Sequence, residues 1–235
     1  MVMRLYKTQT ENIKLDTYKL ISLEKIPSTQ DWAHDLIAKA QAYDKTVIVA
    51  TSQTAGRGRY RRKWVSHTGN LYASFIYKIQ ERNPKLSYAI GVAVAETLME
   101  FGLVPKIKWP NDILIDGKKI SGILIEYSQN FVIIGIGINI KTCPIVKEYQ
   151  TTKINNFTKV TVEDVLNVLI KKVDKLRSAN FSVIRNRWME LAFGINKTIK
   201  FRGKEMELIG LNENGALILR YGSDYILTFA DEISI

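Results

Sequence analysis

An α/β fold, more fully an α+β arrangement, is what this sequence predicts: a mixed β-sheet with flanking helices and a small β-rich unit at the C-terminal end. Three observations carry that expectation. Apolar residues recur at helical spacing in four separate segments. Short runs rich in β-branched and aromatic residues lie between those segments, bounded by Gly, Pro, Asn and Asp. From about residue 196 the helical period stops, and short strands follow one another through turns at Arg202-Gly203, Asn214-Gly215 and Gly222-Ser223. Some forty residues of that kind predict a small β-barrel or sheet cap.

The elements follow in order. Ser28, Thr29, Gln30 and Asp31 form a capping-box pattern with Asp in place of Glu, opening a helix to about Tyr43 with Trp32, Leu36, Ile37 and Ala40 on its apolar face. Residues 46–51 are a short buried strand. Residues 70–77 alternate, with Leu71, Ala73 and Phe75 on one face and Tyr72, Ser74 and Ile76 on the other. Asn83-Pro84 starts a second helix that carries Ile90, Val94 and Leu98 toward Phe101. A β-rich block comes next: 106–109, interrupted by Pro110, then 113–115, the Asp116-Gly117 turn, 120–127, the Gln129-Asn130 turn, and 131–140. Thr161 and Asp164 cap a third helix striped by Val165, Leu169, Val173 and Leu176. Residues 181–192 form a fourth, stopped at Gly194.

Composition narrows the function. The 235 residues suffice for one substantial core and a small appendage. A net charge of +11 favours anionic partners without naming one, and much of the excess is lysine scattered over solvated helix faces. One cysteine, Cys143, excludes an internal disulfide framework, and with only His34 and His67 a structural zinc site is not expected. These three read as structural or incidental, because nothing marks a base partner for a catalytic cysteine. Residues 1–16 are polar, with no hydrophobic stretch for a signal peptide, and no run is long enough to span a bilayer. The expected location is the cytoplasm.

Residues 53–64 are the most informative segment. They hold five cations (Arg57, Arg59, Arg61, Arg62, Lys63), the glycines Gly56 and Gly58, and Trp64, directly after a strand. Glycine lets backbone approach a ligand, and arginine forks onto carboxylate or phosphate oxygens. Such a loop grips a small anion or lies on nucleic acid. Its place inside a sheet core favours the former. A second segment runs Lys108, Trp109, Pro110, Asn111, Asp112, then Lys119 to Glu126. Pro110 within a strand pattern forces an edge or a bulge. Gly122, among β-branched neighbours, signals close approach of a ligand or another backbone. Lys118 reads as an ordinary hairpin lysine.

Together these segments resemble the biotin–protein ligase family. The resemblance rests on Gly56-Arg57-Gly58-Arg59, Arg62-Lys63-Trp64, Lys108 to Asp112, Lys119 with Gly122, Gly135 to Asn139, and Ser28-Thr29. It runs from about residue 21 to the C-terminus, and this many ordered motifs at compatible spacing is specific where any one alone is weak. It implies an ATP-dependent enzyme that joins biotin to ATP as biotinyl-5'-AMP, then passes biotin to a lysine of a biotin carboxyl carrier domain. Implied catalytic residues are Arg57, Arg59, Lys119 and Asp112. Arg57 and Arg59 clamp carboxylate and phosphate, Lys119 reaches the reacting centre, and Asp112 is the candidate base for the acceptor amine. Implied biotin contacts are Ser28, Thr29, Gln30, Gln53, Gly56, Arg57, Gly58, Arg59, Lys119 and Gly122. ATP would meet Arg59, Arg62, Trp64, Lys108, Asn111, Asp112 and Asn139, with magnesium entering as Mg-ATP and no metal ligand certain.

Two positions depart from the family pattern. Gln30 stands where asparagine is usual, which puts its side-chain contact with biotin in question. Arg61 stands where glycine is common, so the loop is expected to follow a path that L-residues tolerate. The resemblance divides the chain into a catalytic domain (1–195) and an SH3-like C-terminal barrel (196–235). It leaves no room ahead of residue 21 for the helix-turn-helix that some members carry, so no specific DNA binding is expected. A monomer or homodimer without membrane attachment completes the expectation. Two other readings stay open here: a lipoate or octanoate ligase of the same fold, whose usual glycine-rich loop with histidine is missing, and an RNA-binding module stacking bases on Tyr60 and Trp64.

Overall fold

Residues 18–229 are described in the computed structural model of this chain. The polar N-terminal segment 1–16, and residues 230–235 of the C-terminal unit, lie outside them. In chain order the elements are β1 (Lys19–Ile26), α1 (Thr29–Ala38), β2 (Thr46–Gln53), β3 (Leu71–Lys78), α2 (Leu86–Met99), β4 (Pro105–Lys108), β5 (Asp112–Ile115), β6 (Lys118–Ser128) and β7 (Phe131–Ile138). They continue with α3 (Val162–Arg177), α4 (Phe181–Leu191), β8 (Thr198–Phe201), β9 (Lys204–Leu211), β10 (Leu217–Tyr221) and β11 (Asp224–Thr228).

Seven strands form one mixed sheet in the order β1-β2-β3-β7-β6-β5-β4. Only β1 and β2 run parallel; α1 makes the crossover between them, as a parallel pair requires. The other pairs are antiparallel. The two faces predicted for the strand at 71–77 are real. Leu71, Ala73 and Phe75 join the main core, while Ile76 packs with Ile48, Ile133, Ala33 and Ile37 under α1. Helix α2 lies between the sheet and the outer helices and is buried nearly all round, which explains why its apolar content exceeds a single stripe. In α3 the capping box forms in both directions and all four stripe residues are buried.

Two boundaries differ from expectation. Helix α1 ends at Ala38 rather than 43, because Ala40 turns left-handed (φ 55°) and Gln41 N–H closes onto the Leu36 carbonyl at 2.8 Å. Ser28 Oγ accepts from the Gln30 and Asp31 amides as predicted. The Asp31 carboxylate, though, pairs with Arg57. Helix α2 begins at Leu86, since Asn83 Oδ1 first accepts from Lys85 N–H in a local turn. Pro110 sits in the turn between β4 and β5, leaving β4 as the sheet edge.

The C-terminal strands form a four-stranded antiparallel sheet, β11-β10-β9-β8, with Arg202 and Gly203 both at positive φ in the tight β8–β9 turn. Among the described residues β8 and β11 do not pair, so an open sheet stands where a closed barrel is expected. Its apolar face shares the main core. Tyr88 ties α2 to the turn between β9 and β10, donating its hydroxyl to the Gly215 carbonyl at 2.7 Å, and packs edge-on against Trp188 of α4.

Candidate active site

The floor of the site is a lateral row of register partners. Tyr72 on β3, Gly137 on β7, Gly122 on β6 and Asp112 on β5 lie side by side and therefore share one face. Glycines at 137 and 122 make this row a trench, and Gly135 lengthens it. The indole of Trp64 lies in the trench: a Cβ on Gly137 would sit 2.4 Å from it, and one on Gly122 2.9 Å. The close neighbour signalled by Gly122 is thus a side chain from the arginine loop. At Gly135 the intruder would be the Gln30 amide, at 2.6 Å.

A β-bulge supplies the reactive lysine. Ile113 pairs with Ser121, but Leu114 pairs with Lys119, so Ile120 is an extra residue on β6. Without it Lys119 would point with Ser121 to the opposite face; with it, Lys119 shares the face of Asp112 and Gly122. Its ammonium lies 2.7 Å from Asp112 Oδ1 and near the rings of Trp64 (5.5 Å) and Tyr149 (5.0 Å).

Loop 53–64 arches over this floor. Gly58 N–H donates to the Arg62 carbonyl (2.7 Å) and Trp64 N–H to the Gly56 carbonyl (2.8 Å). At its tip Tyr60 (φ 52°) and Arg61 (φ 59°) are both left-handed, so the path is one that L-residues rarely adopt. That corrects the expectation at Arg61. Aromatic contacts help to hold the tip: the guanidiniums of Arg59 and Arg62 lie 4.9 and 5.9 Å from the Tyr60 ring, and Arg59 donates to the Tyr60 hydroxyl.

The cavity between loop and floor is about 620 Å³ and open to solvent on one side. Ser28, Thr29, Gln30 and Gln53 line its neutral polar end. Arg57, Gly58, Arg59, Arg62 and Trp64 line the loop side, and Lys108, Asn111, Asp112, Lys119 and Gly122 the opposite wall. Six lining cations (Arg57, Arg59, Arg62, Lys63, Lys108, Lys119) face three lining carboxylates (Asp112, Asp116, Glu148), so the walls favour an anion.

Two predicted residues fall elsewhere. Gly56 does not line the cavity; it is buried where the Trp64 carbonyl and Ser66 need room. Asn139 lines an adjoining cavity of about 230 Å³, walled by residues 144–149 and sharing Trp64, Lys119 and Tyr149 with the first. Its Nδ2 donates to the Thr152 carbonyl, and its buried Oδ1 has no partner among the described residues.

At the polar end Gln53 Oε1 accepts from Thr29 N–H (2.8 Å) and Gln53 Nε2 donates to Ser66 Oγ (2.8 Å). Gln30 is spent on the protein, with Oε1 3.0 Å from Ser74 Oγ and Nε2 donating to the Ile133 carbonyl. Asn111 likewise donates to the Ile123 carbonyl and braces the turn.

Sequence reasoning missed the surroundings of Arg57. Its Nη1 and Nη2 donate to Glu126 at 2.9 Å each, its Nε lies 2.7 Å from Asp31 Oδ1, and His34 Nε2 lies 2.9 Å from Glu126 Oε2. Burial disfavours the charge on Arg57 and on Glu126. Their mutual pairing outweighs it, holding Glu126 below the ordinary carboxylate range and Arg57 above the ordinary guanidinium range. No local signal marks Glu126, which reads as one more β6 residue. Tyr149 was also missed, since its irregular segment carries no pattern.

A trench of this kind in a mixed sheet, lined by neutral polar groups and by cations, suits a small organic anion. The model of the biotin/lipoate A/B protein ligase family matches residues 22–140. The bifunctional ligase/repressor BirA of Bacillus subtilis is 34% identical over 229 residues, covering 85% of this chain and 69% of its own. A biotin–[acetyl-CoA-carboxylase] ligase of Paracoccus denitrificans is 31% identical, covering 74% and 83%. The biotin protein ligase of Aquifex aeolicus, solved with biotin and ATP, superposes with a TM-score of 0.83 at 28% identity, over 92% of this chain and 97% of that one. This chain belongs to the biotin/lipoate A/B protein ligase family.

Proposed function

We propose that the cavity seats biotin with its ureido ring at the Ser28–Thr29–Gln53 end and its carboxylate beneath the arginine loop, and that ATP enters from the side of Asn139. The activity is that of a biotin–protein ligase: biotin and ATP give biotinyl-5'-AMP and pyrophosphate, and biotin then passes to a protein lysine. The observation that carries the reading is one trench with a neutral polar end and a cationic end. An RNA-binding surface would instead run its cations along a groove that tracks the backbone, with successive aromatic platforms for the bases.

The first step brings a carboxylate against a polyphosphate. Two unit charges 4 Å apart repel by about 4 kcal/mol at an effective dielectric near 20. Fixed cations offset this and hold the partners in line. Arg59, whose buried Nη1 has no partner among the described residues, and Lys119 are placed for that work. Magnesium would come with the nucleotide, whose phosphate oxygens suit it. The unpartnered Oδ1 of Asn139 is an acceptor for the exocyclic amine of adenine. The acceptor in this reading is the biotin carboxyl carrier domain of a carboxylase, such as acetyl-CoA carboxylase.

In the second step the incoming lysine must lose a proton. A free lysine near pKa 10.4 is only about one part in 10³ neutral at pH 7. Asp112 lies at the reacting centre, paired with Lys119. When Lys119 turns to the adenylate, the Asp112 carboxylate becomes free to orient and deprotonate the amine. For Asp112→Asn we expect transfer from preformed biotinyl-5'-AMP to fall about 10²-fold, with adenylate formation reduced much less. Equal loss in both half-reactions would reassign Asp112 to supporting Lys119. The reading as a whole is tested by incubating the protein with ATP, magnesium, a carrier domain and either biotin or lipoate. One biotinyl group should add to one lysine, with no lipoyl product; no adduct with either acid refutes it.

A further inference from the structure

Arg57 is surrounded in a way that its charge alone does not suggest. Nη1 and Nη2 each donate to a Glu126 oxygen at 2.9 Å, and Nε lies 2.7 Å from Asp31 Oδ1 as an ion pair whose N–H is not aligned for a hydrogen bond. One positive charge therefore meets two negative ones, and the group carries a net charge of −1 before His34 is counted. A ligand carboxylate approaching this group meets no unbalanced cation. Arg59, two residues on, donates to the Tyr60 hydroxyl and lies over its ring, and among the described residues it has no carboxylate partner and its buried Nη1 makes no hydrogen bond. The two arginines differ in what they have left to offer.

The carboxylates come from different elements. Asp31 is in the first turn of α1, and Glu126 is on β6, 69 residues from Arg57 in sequence. His34, one turn beyond Asp31, closes the group from the Glu126 side at 2.9 Å. The loop bearing Arg57 is thereby fastened at once to a helix and to the sheet. The fastening point lies in the segment whose other residues, Arg59 and Trp64, reach the cavity. A guanidinium fork is suited to such bracing, since it bonds two oxygens in one plane and leaves little freedom.

We propose that Asp31, Glu126 and Arg57 form an ionic latch that pre-positions the arginine loop over the acid-binding cavity, with Arg57 a positioning residue and Arg59 the guanidinium that meets the ligand anion. The proposal rests on the ligase reading above for its kinetic consequence, whereas the ionic contacts themselves involve only residues of this chain. Releasing it lets the loop open, so the cost falls on substrate capture more than on turnover of bound substrate.

The test uses the full chain with Asp31→Asn and Glu126→Gln, and two readouts. In the absence of ligand, tryptic cleavage after Arg59, Arg61, Arg62 and Lys63, followed by mass spectrometry, should quicken by roughly tenfold in each variant. In biotin-dependent ATP–pyrophosphate exchange, KM for biotin should rise by about tenfold while kcat changes much less, the scale of one lost charge-assisted contact. Asp31→Glu, which keeps the carboxylate, should restore both readouts. If Arg57 instead clamps the ligand directly, removing its competing carboxylates frees it and KM falls. A lowered or unchanged KM, or unchanged loop cleavage, overturns the latch. Asp31 is half-exposed, so its variant keeps the test valid if Glu126→Gln fails to fold. An inactive wild type would sink the ligase reading alone, because the cleavage readout needs no turnover.

Discussion

Lys119→Gln lowers the rate of adenylate formation by about 10³-fold, the upper range for removing one fixed donor from a preorganised site. Glutamine preserves much of the side-chain length and an N–H donor but removes the charge. The Lys119 side chain is only 14% exposed and lies between the rings of Trp64 and Tyr149, so little water screens its charge. The loss should appear in kcat for biotin-dependent ATP–pyrophosphate exchange more than in KM for biotin, because the charge acts where two anions are forced together. The single variant also leaves Asp112 without its cation. The double variant Lys119→Gln/Asp112→Asn separates the effects: it should regain thermal stability but not rate. A single variant within tenfold of wild type would remove Lys119 from the reacting centre.

The second large effect is expected from one methyl group. In Gly56→Ala the new Cβ would lie 2.5 Å from the Trp64 carbonyl oxygen, 2.7 Å from Ser66 Oγ and 2.9 Å from Gln53 Nε2. The nearest of these is backbone, and the Trp64 amide is bound to the Gly56 carbonyl at 2.8 Å, so the loop cannot yield at one atom alone. It must shift as a unit, moving Trp64 off Gly137 and Arg59 off its position above the trench. A displacement near 1 Å at reacting groups costs about 10²-fold, and that is the fall expected in kcat/KM for biotin. Stability should suffer far less, by about 2–4 °C in Tm for roughly 1 kcal/mol in a chain of this size. Gly58→Ala is the internal control. Its Cβ would meet the Arg62 carbonyl at an ordinary 3.4 Å, and kcat/KM should stay within tenfold by the same assay. Equal effects at the two glycines would mean that loop flexibility, not close contact, decides activity.

Local signals were enough to set the helices and to pick out the segments that meet at the site. Thr161 and Asp164 cap α3 because both partners lie three residues apart, and its apolar stripe needs only the helical period. The arginine loop, Lys108 to Asp112, and Lys119 could be chosen because their cations and glycines recur in an order and spacing that resembles one family. Tertiary structure decided which face each residue meets and which charges remain available. Lys119 reaches Asp112 only through the bulge at Ile120, which depends on how β5 and β6 align. Gly122 and Gly137 make room for Trp64, which lies 58 and 73 positions away. Asp31 and Glu126 take up Arg57 across separations no window spans, so a residue that reads as a free clamp is found engaged. Propensity and capping act over about four residues, whereas register and ion pairing depend on surfaces that exist only after the chain has folded.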